Sequence, residues 1–174
     1  MNNTVLCDNH KEMLVNYAGH YNHMEDGTYT KAFENVSVSG STNIITSIVD
    51  FARWLGNFTS PHLEPAVVMK LGQTWQFNNG RMNAYACGLE TSERNGKKFW
   101  THGGGAGGFR SEMIFALEGG VAVGVLSNNG SMDAVTLGNK VLGVVLPEFV
   151  QKNQGDTAMK SAAFSESEGR DLPG

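Results

Sequence analysis

The residues best suited to chemistry lie in Trp100-Thr101-His102-Gly103-Gly104-Gly105-Ala106-Gly107-Gly108-Phe109, where six small residues follow a histidine. Imidazole donates or takes a proton near neutral pH. Gly104 and Gly105 carry no Cβ, so another backbone or a ligand can approach closely. A strand edge with free N–H groups beside such a histidine can hold an oxyanion, which is the chemistry of acyl transfer. A glycine-rich turn next to an exposed histidine fits the same residues, and both readings stay open at this level. A phosphate loop does not fit, because no Lys-Ser/Thr pair follows the glycines and no βαβ unit surrounds them. Trp100 is two residues before His102, shares its sheet face and is expected to border the site.

Other candidates carry less. Cys87 sits beside Gly88 in a run with strand-like alternation and is expected to be a small buried hydrophobe. A catalytic thiol paired with His102 is the alternative. His10, His20, His23 and His62 lie in polar stretches and are expected to be exposed. His20 and His23 are three apart, but no carboxylate or cysteine completes a set, so no metal or other cofactor is expected. Asp50 follows Ser47 by three residues, and a helix-capping role explains it better than an acid–base one. Trp54 and Trp75 are expected in the core or at its rim.

The elements around the glycine run read as follows. Residues 1–40 are polar and broken by Gly19, Gly27 and Gly40, which suggests loop. Ile48, Phe51, Ala52 and Leu55 repeat at helical spacing after Ser47, and this helix is expected to end near Gly56. Ala66–Leu71 adds a helical turn beyond Pro61 and Pro65. Asn83–Glu90 and Lys98–His102 read as strands, with Asn95-Gly96 as a hairpin signal between them. His102 is expected at a strand end, with residues 103–108 forming the turn that follows. Phe109–Leu117 and Val121–Leu126 are two more strands. Ser131 is expected to cap a last helix that buries Val135, Leu142, Val145, Leu146 and Phe149. The order is α+β, an antiparallel sheet flanked by helices. Residues 1–150 are expected to form part of one domain, and the polar stretch 151–174 is expected to fray.

Composition narrows the partners. The chain has 174 residues, a formal charge of −4 and 22 glycines without a G-X-Y period. That charge argues against nucleic-acid binding. No apolar run approaches the roughly 18 residues of a membrane span. Two cysteines cannot build a disulfide framework. The start Met1-Asn2-Asn3-Thr4 has no basic or apolar leader, so no signal peptide is expected, and the location is left open. Sequons at Asn2, Asn35, Asn57 and Asn129 hint at secretion, though chance explains much of their number.

Four segments in order add a resemblance. Thr46-Ser47-Ile48-Val49-Asp50-Phe51-Ala52 reads as a helix start, and Tyr85-Ala86-Cys87-Gly88-Leu89 precedes the His102–Ser111 segment. Val123-Gly124-Val125-Leu126-Ser127-Asn128 follows it. Over about 110 residues this resembles the C-terminal part of the serine β-lactamase and penicillin-binding-protein superfamily, nearest its class C branch of esterases, D-aminopeptidases and DD-carboxypeptidases. The resemblance implies hydrolysis through an acyl-serine. It gives His102 the role of donor facing the substrate, counts Gly104 with it in the catalytic H-x-G motif, makes the Gly105 N–H half of an oxyanion hole, and has Gly103 and Trp100 bind the substrate. Histidine in place of lysine is mostly uncharged at pH 7, which favours esters or D-amino amides over anionic β-lactams.

The chain departs from that pattern. It contains no Ser-x-x-Lys, where the lysine would activate the nucleophile, and no Tyr-x-Asn. Both belong upstream of Met1 in the superfamily order, and Met1-Asn2-Asn3-Thr4 is similar to the segment after them. The expectation is a hydrolase portion that is inactive alone, takes a small-molecule or peptide substrate once complete, and associates with itself or with a complementing N-terminal half. A non-catalytic binding or regulatory module on the same fold is the alternative.

Overall fold

A computed structural model describes residues 1–149 apart from 8, 10, 34–39, 41 and 61. The expectation of a frayed 151–174 lies outside the described residues. A four-stranded antiparallel sheet of β5 (Glu90–Arg94), β6 (Lys97–Ala106), β7 (Phe109–Ala116) and β8 (Val121–Ser127) runs in sequence order. Two short antiparallel pairs accompany it, β1 (Val5–Leu6) with β4 (Ile44–Ile45) and β2 (Tyr21–His23) with β3 (Tyr29–Lys31). The helices are α1 (Ile48–Thr59), α2 (Pro65–Leu71) and α3 (Ala134–Val145), the last followed by a short 3-10 turn at Pro147–Phe149. The α+β class with helices flanking an antiparallel sheet is as expected.

Alternation along the strands sends side chains to two cores. Ile114, Ala116, Val123, Val125 and Phe99 pack under Ala134 and Leu142 of α3 and against Phe149. Trp100, Met113 and Phe115 face the other way and pack with Leu55 and Phe58 of α1 and Val68 of α2. Gly124 lets α1 settle on β8, since a Cβ there would stand 2.8 Å from Leu55 and 2.9 Å from Phe51. Ser47 caps α1 by accepting from the Asp50 N–H at 3.3 Å. The Asp50 carboxylate is fully buried and ties the chain start to α1, accepting from the Asn3 N–H at 2.6 Å, the Thr4 hydroxyl at 3.0 Å and Arg53 at 2.8 Å. Burial alone would raise its pKa; these three donors hold it below the usual range.

Several expectations change. The first 40 residues are not all loop: the β2–β3 hairpin pairs Tyr21 with Lys31 and His23 with Tyr29, but its short polar strands carry no apolar alternation. Helix α1 continues past Gly56 to Thr59 and buries Leu55 and Phe58, leaving Ile48 and Ala52 exposed. Residues 83–89 form no strand, and Cys87 is exposed while Ala86 and Leu89 turn inward. Asp133, not Ser131, caps α3, accepting from the Thr136 N–H at 2.9 Å. Val135 and Val145 lie outside; small Ala134 and Gly138 with Leu142 form the inner face, which a search for large apolar residues passes over.

The Asn95-Gly96 hairpin forms as expected, with positive φ at both turn residues. The glycine run behaves differently. Residues 103–106 continue β6 and pair with Arg110–Phe109 and Glu112–Ser111, so His102 is inside the strand and only Gly107-Gly108 turn. Glycines in an extended strand look in sequence like a long turn. Gly108 is also a docking point: its N–H donates to buried His20 Nδ1 at 2.8 Å, and His20 stacks on Phe109 at 4.5 Å. His20 is therefore buried, contrary to the expectation of an exposed loop residue. Around it Tyr21 N–H donates to the Asn128 carbonyl at 2.9 Å and Gly130 N–H to the Tyr21 carbonyl at 2.7 Å. A Cβ at Gly108 would stand 2.7 Å from Tyr21 N and 2.8 Å from the Ala32 Cβ. Gly108→Ala should lower unfolding stability by about 1–3 kcal/mol, read by denaturant melting; an unchanged midpoint would mean the β2–β3 hairpin is not docked on this turn.

Candidate active site

The site is built on β6, one edge of which is only half covered by β5. The Gly107-Gly108 turn closes on the Ala106/Phe109 pair, and Leu117 N–H donates to the Lys98 carbonyl at 3.0 Å. Hydrogen-bonded positions alternate along an antiparallel ladder. His102, Gly104 and Ala106 therefore direct their backbone groups to β7, and Thr101, Gly103 and Gly105 direct theirs to the opposite edge. On that edge β5 pairs only as far as Glu90 with Thr101. Gly103 and Gly105 thus present N–H and C=O groups with no strand beside them among the described residues, and both glycines are exposed.

The two faces of this edge differ. His102 and Gly104 share the face that carries α1. His102 is exposed, and its Nε2 lies 3.1 Å from the Tyr85 hydroxyl. Tyr85 comes from the irregular segment before β5, held by a bridge to Glu90. Ser111 stands opposite Gly104, and its hydroxyl fills the space a side chain there would need. Gly103 and Gly105 share the face that carries α3, opposite Glu112 and Arg110. Arg110 is engaged locally, donating to the Phe109 carbonyl at 2.7 Å and the Gly107 carbonyl at 3.1 Å.

Of the expected site residues, His102, Gly103, Gly104 and Gly105 come together on this edge. Trp100 does not border it: the ring is 5% exposed, sits between Phe58 and Phe115 and fills the space left by Gly72. It shares the His102 face, but α1 and α2 cover that part of the sheet. Tyr85 and Glu112 are the residues the sequence reading missed. Glu112 sits in an alternating strand where an inward glutamate carries a signal only once the register is known.

Glu112 is 4% exposed, and its pKa is raised to about 7, first by burial and then by the nearby Glu90 and Asp133 charges, with Arg94 opposing them. The folded-state value lies above the ordinary glutamate value of 4.5, so the folded chain holds this proton more tightly than the unfolded chain. Stability should fall as pH rises from about 4.5 to about 7 and then level, by roughly 2 kcal/mol after allowing for solvent near the carboxylate. Glu112→Gln should remove this contribution to the slope, as read by denaturant melts at pH 5 and pH 8. A wild-type stability that rises across that interval, or a slope unchanged in the variant, would contradict the assignment.

The Beta-lactamase family matches residues 7–142, well over half of the sequence, and the chain belongs to this family. Among solved structures it is similar to the octameric penicillin-binding protein homologue from Pyrococcus abyssi, with a TM-score of 0.69 at 18% identity, over 84% of this chain and 34% of that one. It is also similar to a D-stereospecific amidohydrolase from Streptomyces sp., with a TM-score of 0.55 at 16% identity, over 84% of this chain and 44% of that one. At these identities the likeness is one of fold. The chain spans less than half the length of either structure. No curated protein sequence matches it. Among the described residues no helix is long and apolar enough to cross a membrane.

Proposed function

We propose that this chain is the substrate-edge portion of an acyl-serine hydrolase for esters, amides or D-amino-acid peptides, and that it is silent without a serine supplied from outside its sequence. The observation that carries the reading is the uncovered β6 edge at Gly103 and Gly105 beside His102, in a chain of the Beta-lactamase family. A substrate laid along that edge pairs with the strand. Serine oxygen bonds to the substrate carbonyl carbon as the base that accompanies it takes the hydroxyl proton, later passed to the leaving group, and the carbonyl oxygen becomes an oxyanion that accepts from the Gly105 N–H. One such donor contributes roughly 3 kcal/mol of barrier lowering. The C–O or C–N bond to the leaving group then breaks as that group takes a proton, and water hydrolyses the acyl-serine. His102, steadied by Tyr85, donates to the substrate on the α1 face; Gly103 and Gly104 keep the approach clear. Lacking Ser-x-x-Lys and Tyr-x-Asn, the 174 residues supply neither the nucleophile nor its activating base.

The complementing part is proposed to dock at the other end of the sheet. Among the described residues strand β8 is an edge strand, and beside it Ile48, Ala52, Gly56, Thr59, Ala122 and Gly124 line an open groove between α1 and the sheet. Val135, Val141, Val144 and Val145 of α3 are exposed. Open edges and apolar faces of this kind pair with other chains. The D-stereospecific amidohydrolase is named for amide cleavage, which supports an amide substrate for this chain, and the archaeal homologue for an octamer, which supports an assembled state.

Two results are expected of the purified chain. A fluorophosphonate probe leaves it unlabelled and p-nitrophenyl esters remain intact; stoichiometric serine labelling would overturn the account of the missing nucleophile. In sedimentation at micromolar concentration it self-associates or unfolds without a sharp transition; a cooperative, well-behaved monomer would remove the argument for a missing half.

A further inference from the structure

Glu112 is a buried ionisable group that the acyl-transfer reading leaves unused. It stands directly opposite Gly103 across the β6–β7 ladder, on the face that carries α3. Gly103 has no side chain, and the Glu112 carboxylate reaches into the space above it: its Oε2 lies 3.1 Å from where a Gly103 Cβ would be. On its other side Gly138 of α3 leaves similar room, a Cβ there standing 3.3 Å from the Glu112 Cγ. The carboxylate therefore lies over the strand whose far edge is open at Gly103 and Gly105.

No hydrogen bond or ion pair holds that carboxylate among the described residues. No fully enclosed side-chain polar atom there lacks a partner, so the Glu112 oxygens are not fully enclosed, and Gly103 beside Oε2 is exposed. The neighbouring charged groups make their hydrogen bonds elsewhere, though the Arg94 charge still acts on Glu112. Arg94 donates to Asn139 at 2.7 Å, Asp133 caps α3, and Arg110 is bound to two main-chain carbonyls. Glu90 adds a second negative charge. A carboxylate of this kind repels an anion and is completed by a cation with N–H donors.

We propose that Glu112 is a substrate-recognition residue that receives a primary ammonium group of a ligand laid along β6, such as the free α-amine of an amino-acid amide. The inference rests on the reading of the β6 edge as the substrate groove and adds the charge of the substrate to it. Gly103 is the gap through which the ammonium reaches the carboxylate, which gives that glycine a role separate from the Gly105 N–H.

The test is an NMR titration of the full chain with two probes, D-alanine methylamide and N-acetyl-D-alanine methylamide, following the Gly103 and Gly105 amides and the 13C carboxyl resonance of Glu112. Both probes should shift the two amides. Only the ammonium probe should move the Glu112 carboxyl toward its ionised position. Glu112→Gln should weaken the ammonium probe about tenfold and leave the acetylated one unchanged. Gly103→Ala, which closes the gap, should weaken the ammonium probe more than the acetylated one. If both probes shift the amides but the Glu112 resonance and the Glu112→Gln affinities do not discriminate, the ammonium site is wrong and the groove stands. If neither probe shifts Gly103 or Gly105, the groove reading fails and takes this inference with it.

Discussion

The structure depends on the unequal pairing of β6. One edge is hydrogen-bonded to β7 along the strand from Phe99 to Ala106; the other is covered by β5 only up to Thr101. The sheet residues with a proposed part in chemistry are placed by that mismatch. It leaves the Gly103 and Gly105 backbone groups uncovered, and strand alternation then assigns the flanking side chains, His102 to one face and Glu112 with Arg110 to the other. A β5 two residues longer would cover Gly103 and close the edge.

The rest of the fold holds this strand flat and in register. Trp100, Met113 and Phe115 anchor one face beneath α1 and α2, while Phe99, Ile114 and Ala116 anchor the other beneath α3. The far end of the hairpin is fixed by long-range contacts, with His20 accepting from Gly108 and the Tyr21 backbone bound to Asn128 and Gly130. The glycine run thus serves separate needs along its length. Gly103 and Gly105 stand under charged side chains, Gly104 makes room for Ser111, and Gly107 and Gly108 make a turn that must also receive another segment.

Much of the sheet was legible in the sequence. Asn95-Gly96 announced its hairpin, and Phe109–Leu117 and Val121–Leu126 match β7 and β8 closely. The family was legible too, from four short segments in order. The misreadings share a cause: they concern residues whose environment is set by distant parts of the chain. His20 looks exposed until Gly108 is seen against it, and Trp100 looks like a site residue until α1 and α2 cover it. Glycines 103–105 look like a turn because propensity disfavours them in strands, and only pairing with Arg110, Ser111 and Glu112 overrides that. Glu112 reads as an ordinary strand glutamate until the register puts Gly103 opposite.

The open edge is tested most directly by amide hydrogen exchange resolved at single residues along β6. The account expects alternation: His102, Gly104 and Ala106 amides protected by β7, Gly103 and Gly105 exchanging much faster, and Phe99 and Thr101 protected by β5. Uniform protection from Phe99 to Ala106 would show that something already covers the edge, and the substrate groove would have to be abandoned.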